Sequence, residues 1–204
     1  MGVPKLRKYL HTAIENGGIC PNPPVCNTLF IDAKQLYYTA LDKLKGEPGY
    51  IEEFIQLLKN VIQKLNPTDF VYIAMDGVAP VAKFQDLRER HFSEEFREDF
   101  TPPKIPFQFE SDSELIESAI RQMCTELCND HLIVTKDIIY SGAFVAGESE
   151  HKYFDYVRKL KREGKFPQGN HFVYSFDNDL FILPFQFSED SFYLQITNSD
   201  TVYD

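Results

Sequence analysis

Apolar residues recur along the chain in two rhythms. Between residues 50 and 65, Ile51, Phe54, Ile55, Leu58, Val61, Ile62 and Leu65 fall at three- and four-residue steps, the spacing of one helix face. Residues 113–128 repeat it with Leu115, Ile116, Ile120, Met123 and Leu127 on one side. Residues 5–16, 79–97 and 150–162 read as further helices. Between the helices lie short apolar runs: TLFID at 28–32, FVYIAMD at 70–76, HFVYSFD at 171–177, β-branched material at 132–140, and FYLQIT at 192–197. Runs of this length are expected as buried strands. Residues 17–27, with Gly17, Gly18, Pro21, Pro23 and Pro24, read as a loop. So do residues 100–113, with Pro102, Pro103, Pro106 and an Asp/Ser cluster.

Strands alternating with helices predict an α/β fold, a twisted, mostly parallel sheet flanked by helices on both faces. Ligands of such sheets bind at the carboxyl ends of the strands. Three of the apolar runs end in an acid, Asp32, Asp76 and Asp177. Any one of them, taken alone, is a turn former or helix cap. Two further patterns add to them. Gly147-Glu148-Ser149-Glu150-His151-Lys152 carries two acids two residues apart, and Asp177-Asn178-Asp179 repeats the spacing after a strand. Asp32, Asp76, Glu148, Glu150, Asp177 and Asp179 then converge on one rim. Oxygen-only ligands suit Mg²⁺ or Mn²⁺. Two such ions can activate a water and stabilise the leaving oxygen in phosphodiester cleavage.

Composition narrows the partners. Hydrophobic residues make up 43% and charged residues 25% of the 204 residues, a globular balance. Lys and Arg number 21 against 31 Asp and Glu, a formal charge of −10. A plain basic nucleic-acid binder is excluded, because non-specific phosphate affinity is built from Lys and Arg. An acidic chain still reaches nucleic acid through divalent ions on its carboxylates. No apolar run approaches the roughly 18–20 residues of a membrane span, and the start MGVPKLRKYL lacks a signal peptide's apolar core. The expectation is a cytoplasmic protein, with the nucleus as the alternative and no membrane contact. Cys20, Cys26, Cys124 and Cys128 have spacings that fit no standard zinc module and read as ordinary thiols. Arg158-Lys159-Leu160-Lys161-Arg162 with Lys165 reads first as a solvated helix C-terminus, where cations are favoured. Its alternatives are an RNA-backbone contact or a nuclear-localisation patch.

Four segments together resemble the Xrn-type 5′→3′ exoribonucleases, relatives of the flap endonucleases. They are the start MGVPK; Met75-Asp76-Gly77-Val78-Ala79-Pro80 followed by Ala82-Lys83; Ser141-Gly142 leading into Gly147-Glu148-Ser149-Glu150-His151-Lys152; and Phe176-Asp177-Asn178-Asp179-Leu180. The resemblance covers almost the whole chain. It implies a PIN/flap-endonuclease-like nuclease core. The six acids fall on six of the family's seven metal-binding positions, holding two Mg²⁺ or Mn²⁺. It assigns Lys83 and Arg90 to a pocket for the 5′-phosphate and places Tyr38 where the family stacks the terminal base on a His. The competing reading of Tyr38 is a helix residue packed on the sheet.

The sequence also departs from that family. No acid matches the seventh position; Asp190, Asp200 and Asp204 have the wrong spacing. Ala33-Lys34-Gln35 stands where the family has Met-Asn-Gly, and two phosphate-pocket donors are replaced by Leu87 and His91. His91 still donates when protonated. The expectation is one nuclease-like domain over residues 1–204, without the family's second conserved region. As an enzyme it would act on the 5′ end of single-stranded RNA. Two alternatives stand beside this. One is a non-catalytic relative binding RNA, a ribosome or a protein. The other is one half of a split nuclease, completed by a partner carrying the missing region.

Overall fold

The structure is a computed structural model. It describes residues 19–20, 22–78, 108–129, 133–175, 180, 183–187, 190–196 and 202–203. The helices read over 5–16 and 79–97 lie outside these residues.

The strands are β1 (Ile19–Cys20), β2 (Thr28–Asp32), β3 (Phe70–Ala74), β4 (Asp137–Ser141), β5 (Asn170–Ser175), β6 (Ser191–Ile196) and β7 (Val202–Tyr203). They form one sheet in the order β1-β7-β6-β5-β2-β3-β4. The five strands from β6 to β4 are parallel, whereas β7 runs antiparallel to both β6 and β1. The helices are α1 (Ala33–Lys43), α2 (Tyr50–Leu65), α3 (Gln108–Asn129) and α4 (Ser149–Arg162), with a 3₁₀ turn at Leu183–Phe187.

Strand alternation divides the core in two. Leu29, Ile31, Val71, Ile73 and Phe172 point to one face, where they pack with Leu36 and Tyr37 of α1, Phe54, Leu58 and Ile62 of α2, and Ile116, Ile120 and Met123 of α3. Phe30, Tyr72, Ala74 and Val173 point to the other, against Tyr153, Phe154 and Val157 of α4. The helices therefore cover both faces, as the alternation of elements predicts. At about 25 cal/mol per Å² of apolar surface, these two layers supply the main driving force for folding. The start of α3 is tied to the first layer by Asp112, whose Oδ2 accepts hydrogen bonds from Tyr37 (2.8 Å) and Tyr50 (2.6 Å).

β2 and α2 have the boundaries read from the sequence, and several other expectations are corrected. The bounds of helix α1 were not evident, because it buries Ala33 and Ala40 beside Leu36, Tyr37 and Leu41 and so lacks a bulky stripe. The 17–27 loop contains β1, held by pairing with Val202 and Tyr203. Helix α3 begins at Gln108, inside the expected 100–113 loop. Leu115 is 61% exposed, because it lies one residue, about 100°, off the stripe of Ile116, Ile120, Met123 and Leu127. Strand β4 starts at Asp137, not Leu132. Its register is set opposite Phe70, and Val134 is left 60% exposed.

Three cations of the basic run are paired within the chain. Arg158 bonds Asp155 (2.6 Å) and Gln186 (2.5 Å), Lys161 pairs with Asp190, and Lys165 with Glu163 (2.9 Å). These contacts follow the solvated-helix reading. The thiols of Cys26 and Cys124 are pushed up by burial to about 12 and about 11, which makes them poor nucleophiles.

His171 is fully buried opposite Thr28, with its Nδ1 2.9 Å from the Thr28 hydroxyl and its ring against Phe166 and Phe192. Burial lowers its pKa to about 4; nearby Asp190 acts against this, and Lys161 with it. The unfolded imidazole binds a proton near pH 6.5. Between pH 6.5 and 4 the unfolded state therefore holds more protons, and stability falls as pH falls. The loss expected from His171 is on the order of 3 kcal/mol. Denaturant unfolding at pH 6.5 and 4.5 checks it: His171→Asn should flatten the pH slope, whatever offset it adds.

Candidate active site

From β2 the chain moves outward to β3 and β4, then returns across to β5 on the other side of β2. The switch point of the sheet thus lies between the carboxyl ends of β2 and β5. Asp32 ends β2 there, 8% exposed, and its Oδ2 accepts a hydrogen bond from the Ser175 hydroxyl at the end of β5 (3.1 Å). Asp32 occupies the N-cap position of α1, but its side chain makes no capping bond. It is turned into the switch-point crevice instead.

Asp76 lies two residues past β3. Its Oδ1 accepts the backbone N–H of Ser149 (2.9 Å), and its Oδ2 pairs with the Lys34 ammonium (3.1 Å). A strand-end acid therefore caps a helix belonging to a distant part of the chain. Glu148 is itself the N-cap residue of α4 and makes no side-chain capping bond. Ligand oxygens of Glu148 and Glu150 and a ring nitrogen of His151 all lie within 4.8 Å of one another. His151 Nδ1 is 3.7 Å from Glu148 and 3.6 Å from Glu150.

Electrostatics tie the four acids into one cluster. Burial pushes the Asp32 carboxyl up to about 7, with the charges of Asp76 and Glu150 adding to the rise; hydrogen bonds from Ser175 and Ser149 pull against it. The Glu150 carboxyl is also raised, first by burial and then by Glu148 and Asp76. Like charges so disposed are a ready receptor for a hard cation. The donor set suits a hard divalent cation on two counts: it offers carboxylate oxygen, and its mutual repulsion is relieved by positive charge.

The loop that carries Asp76 and the loop that leads into Glu148 are fastened together. Met75 N–H bonds Ser141 O (3.0 Å), Gly77 N–H bonds Gly147 O (2.9 Å), and Gly147 N–H bonds Val78 O (2.9 Å). Gly147 takes φ +104°, a backbone conformation suited to glycine. Lys152 locks the arrangement from beneath. Its buried ammonium donates to Met75 O (2.8 Å) and Gly142 O (2.9 Å), and burial lowers its pKa to about 8. In the structure it is a positioning residue that bridges the Asp76 loop and the Glu148 loop.

Of the acids expected at the rim, Glu148 and Glu150 bring ligand atoms together beside His151, and Asp32 and Asp76 lie near enough for their charges to be felt across the group. Asp177 and Asp179 lie outside the described residues, as do Lys83, Leu87, Arg90 and His91. Tyr38 is half-buried on α1, packs against the first core layer, and meets Tyr37 edge-on at 5.4 Å. Ser149, Ser175 and the Lys34 contact were missed. Ser175 does sit two residues before Asp177, and Lys34 two residues after Asp32. Those positions were the only available signals.

The architecture is one shared with a solved catalytic core. The catalytic core of Rad2, solved in complex with DNA substrate, superimposes with a TM-score of 0.55 at 14% identity, over 100% of this chain and 53% of that one. A second Rad2 core complex gives 0.51 at 17% identity. The family model for the XRN 5′-3′ exonuclease N-terminus matches residues 1–118 and 114–196, and the chain belongs to that family. It is 27% identical to 5′-3′ exoribonuclease 1 of Schizosaccharomyces pombe over 220 residues, and 29% identical to 5′-3′ exoribonuclease 2 of Arabidopsis thaliana over 198. These alignments take in 90% and 80% of this chain but only 16% and 20% of those relatives.

Proposed function

We propose that the chain is a metal-dependent nuclease domain that hydrolyses RNA phosphodiesters from the 5′ end. The observation that carries this is the convergence of Asp32, Asp76, Glu148 and Glu150 at the sheet's switch point. Membership of the XRN family supports the reading. The residues that would hold the metal are these four, joined by Asp177 and Asp179. Two bound Mg²⁺ or Mn²⁺ ions would supply Lewis-acid activation of a water and charge neutralisation at the leaving oxygen.

The chain's own residues do the rest. Ser175 and the Ser149 N–H hold Asp32 and Asp76 in orientation, and Lys152 fixes the separation of the two acidic loops. Lys83 and Arg90 bind the 5′-phosphate by charge-assisted hydrogen bonds. Tyr38 stacks the terminal base. With Leu87 and His91 in place of two donors, the phosphate pocket discriminates weakly. Two donors to a charged phosphate are worth roughly 3 kcal/mol together, about a hundredfold in preference.

The test is incubation of the purified chain with 5′-monophosphorylated and 5′-hydroxyl RNA under Mg²⁺, Mn²⁺ or EDTA. Metal-dependent mononucleotide release is expected, with a rate ratio well below a hundredfold. Leu87→Gln with His91→Arg should raise the ratio, and Lys83→Ala should lower it. A wild-type ratio already at a hundredfold would contradict the eroded pocket. Metal binding without cleavage of either RNA would favour a non-catalytic binding module, or a domain completed by a protein partner. The proposed location is the cytoplasm, with the nucleus as the alternative.

A further inference from the structure

Helix α1 opens with a residue set against its own electrostatics. Its first turn contains no acid, and Lys34 is its second residue. Unpaired N–H groups and the helix dipole make that end positive, so an ammonium there is disfavoured. Lys34 nevertheless reaches Asp76 Oδ2 at 3.1 Å, across 42 residues of sequence. The two side chains are 30% and 28% exposed, so solvent screens the pair only in part. The other oxygen of Asp76 is bonded to Ser149 N–H. Both oxygens of this acid are therefore engaged by protein donors, one of them a full positive charge.

Asp76 is also the acid whose charge reaches both Asp32 and Glu150. A cation held on it relieves repulsion across the whole cluster. A neutral side chain at this position could not do this.

We propose that Lys34 is a tethered counter-cation: its ammonium holds the acid cluster together when divalent ions are scarce and competes with them for Asp76. This rests on the metal-centre reading above. An incoming ion must displace the ammonium from Oδ2 or share the carboxylate with it. Removing Lys34 therefore has two effects of opposite sign. The metal-free protein loses a favourable ion pair and becomes less stable. The metal loses its competitor and binds more tightly. Simple structural damage would weaken both.

The experiment is a calorimetric Mn²⁺ titration of the full chain, with thermal unfolding in EDTA, on wild type, Lys34→Met, Lys34→Arg and Lys59→Met. Lys59 pairs with Glu126 instead and serves as the charge control. Lys34→Met should lower the melting temperature in EDTA and tighten the Mn²⁺ Kd about tenfold, the scale of one close, partly shielded opposite charge. Lys34→Arg and Lys59→Met should stay within about twofold of wild type. Lys34→Gln takes the place of Met if that variant does not fold. Equal or weaker Mn²⁺ binding by the neutral variant, with wild type binding normally, overturns the proposal alone. Failure of wild type and variant alike to bind Mn²⁺ brings down the metal-centre reading and this inference with it.

Discussion

Asp76→Asn is expected to remove the stabilisation that Mn²⁺ confers on the folded chain. An ion that binds only the folded cluster stabilises by about 2.7 kcal/mol when present at a hundredfold over its Kd. For a domain of this size, that corresponds to roughly 5–10 °C in melting temperature. Asp76 stands between two loops and is the acid felt by both Asp32 and Glu150. The asparagine keeps an oxygen for the Ser149 N–H, so the helix cap and the fold should survive. What it removes is the anionic oxygen now paired with Lys34. In EDTA the variant should be no less stable than wild type by more than the net worth of that pair, about 1 kcal/mol. Thermal unfolding in Mn²⁺ against EDTA separates the two effects. A variant that still gains the wild-type shift would show that the cation binds elsewhere.

Gly77→Ala is expected to be the most damaging small substitution at the site. A β-carbon on Gly77 would lie 1.9 Å from the carbonyl oxygen of Val145 and 2.9 Å from that of Ala143. Both obstacles are backbone, and neither can swing aside as a side chain would. The loops at 75–78 and 141–147 are already fastened by three backbone hydrogen bonds and the Lys152 bridge. Making room means parting them. The loss should be about 3 kcal/mol or more, beyond ordinary surface substitutions. It should also reduce Mn²⁺ binding, because Asp76 and Glu148 sit on the two loops that separate. The denaturant midpoint checks the first effect and calorimetry the second. An alanine variant within 1 kcal/mol of wild type would contradict the packing described here.

Much of this was legible in the sequence because burial on both sides leaves a strong local signature. TLFID is a β-strand to the residue because the sheet covers each of its five positions. The 50–65 helix is legible because its apolar face packs into the core and its opposite face meets water. Helix α1 carries no such contrast; its buried face includes two alanines. The start of β4 was misplaced because β-branched residues at 133–134 mimic a strand, whereas pairing with Phe70 decides the register.

At the site, the acids could be read because each follows a strand or opens a helix. The partners of the cations could not. Lys34 and Lys152 find their partners 42 and 77 residues away, and no local pattern encodes those contacts. Lysine in the first turn of a helix did conflict with the local electrostatic preference. Such conflicts are where functional sites are expected to break local rules.

The most direct test of the central claim follows one RNA labelled at its 5′ end and another labelled at its 3′ end, each incubated with wild type or Asp76→Asn in Mn²⁺. The account predicts that wild type releases the 5′ label as a mononucleotide while the 3′-labelled strand shortens progressively. The Asp76→Asn variant should be at least a thousandfold slower on both, roughly 4 kcal/mol of lost transition-state stabilisation. Equal cleavage of both RNAs by wild type and Asp76→Asn would contradict the assignment of this rim as the site of hydrolysis.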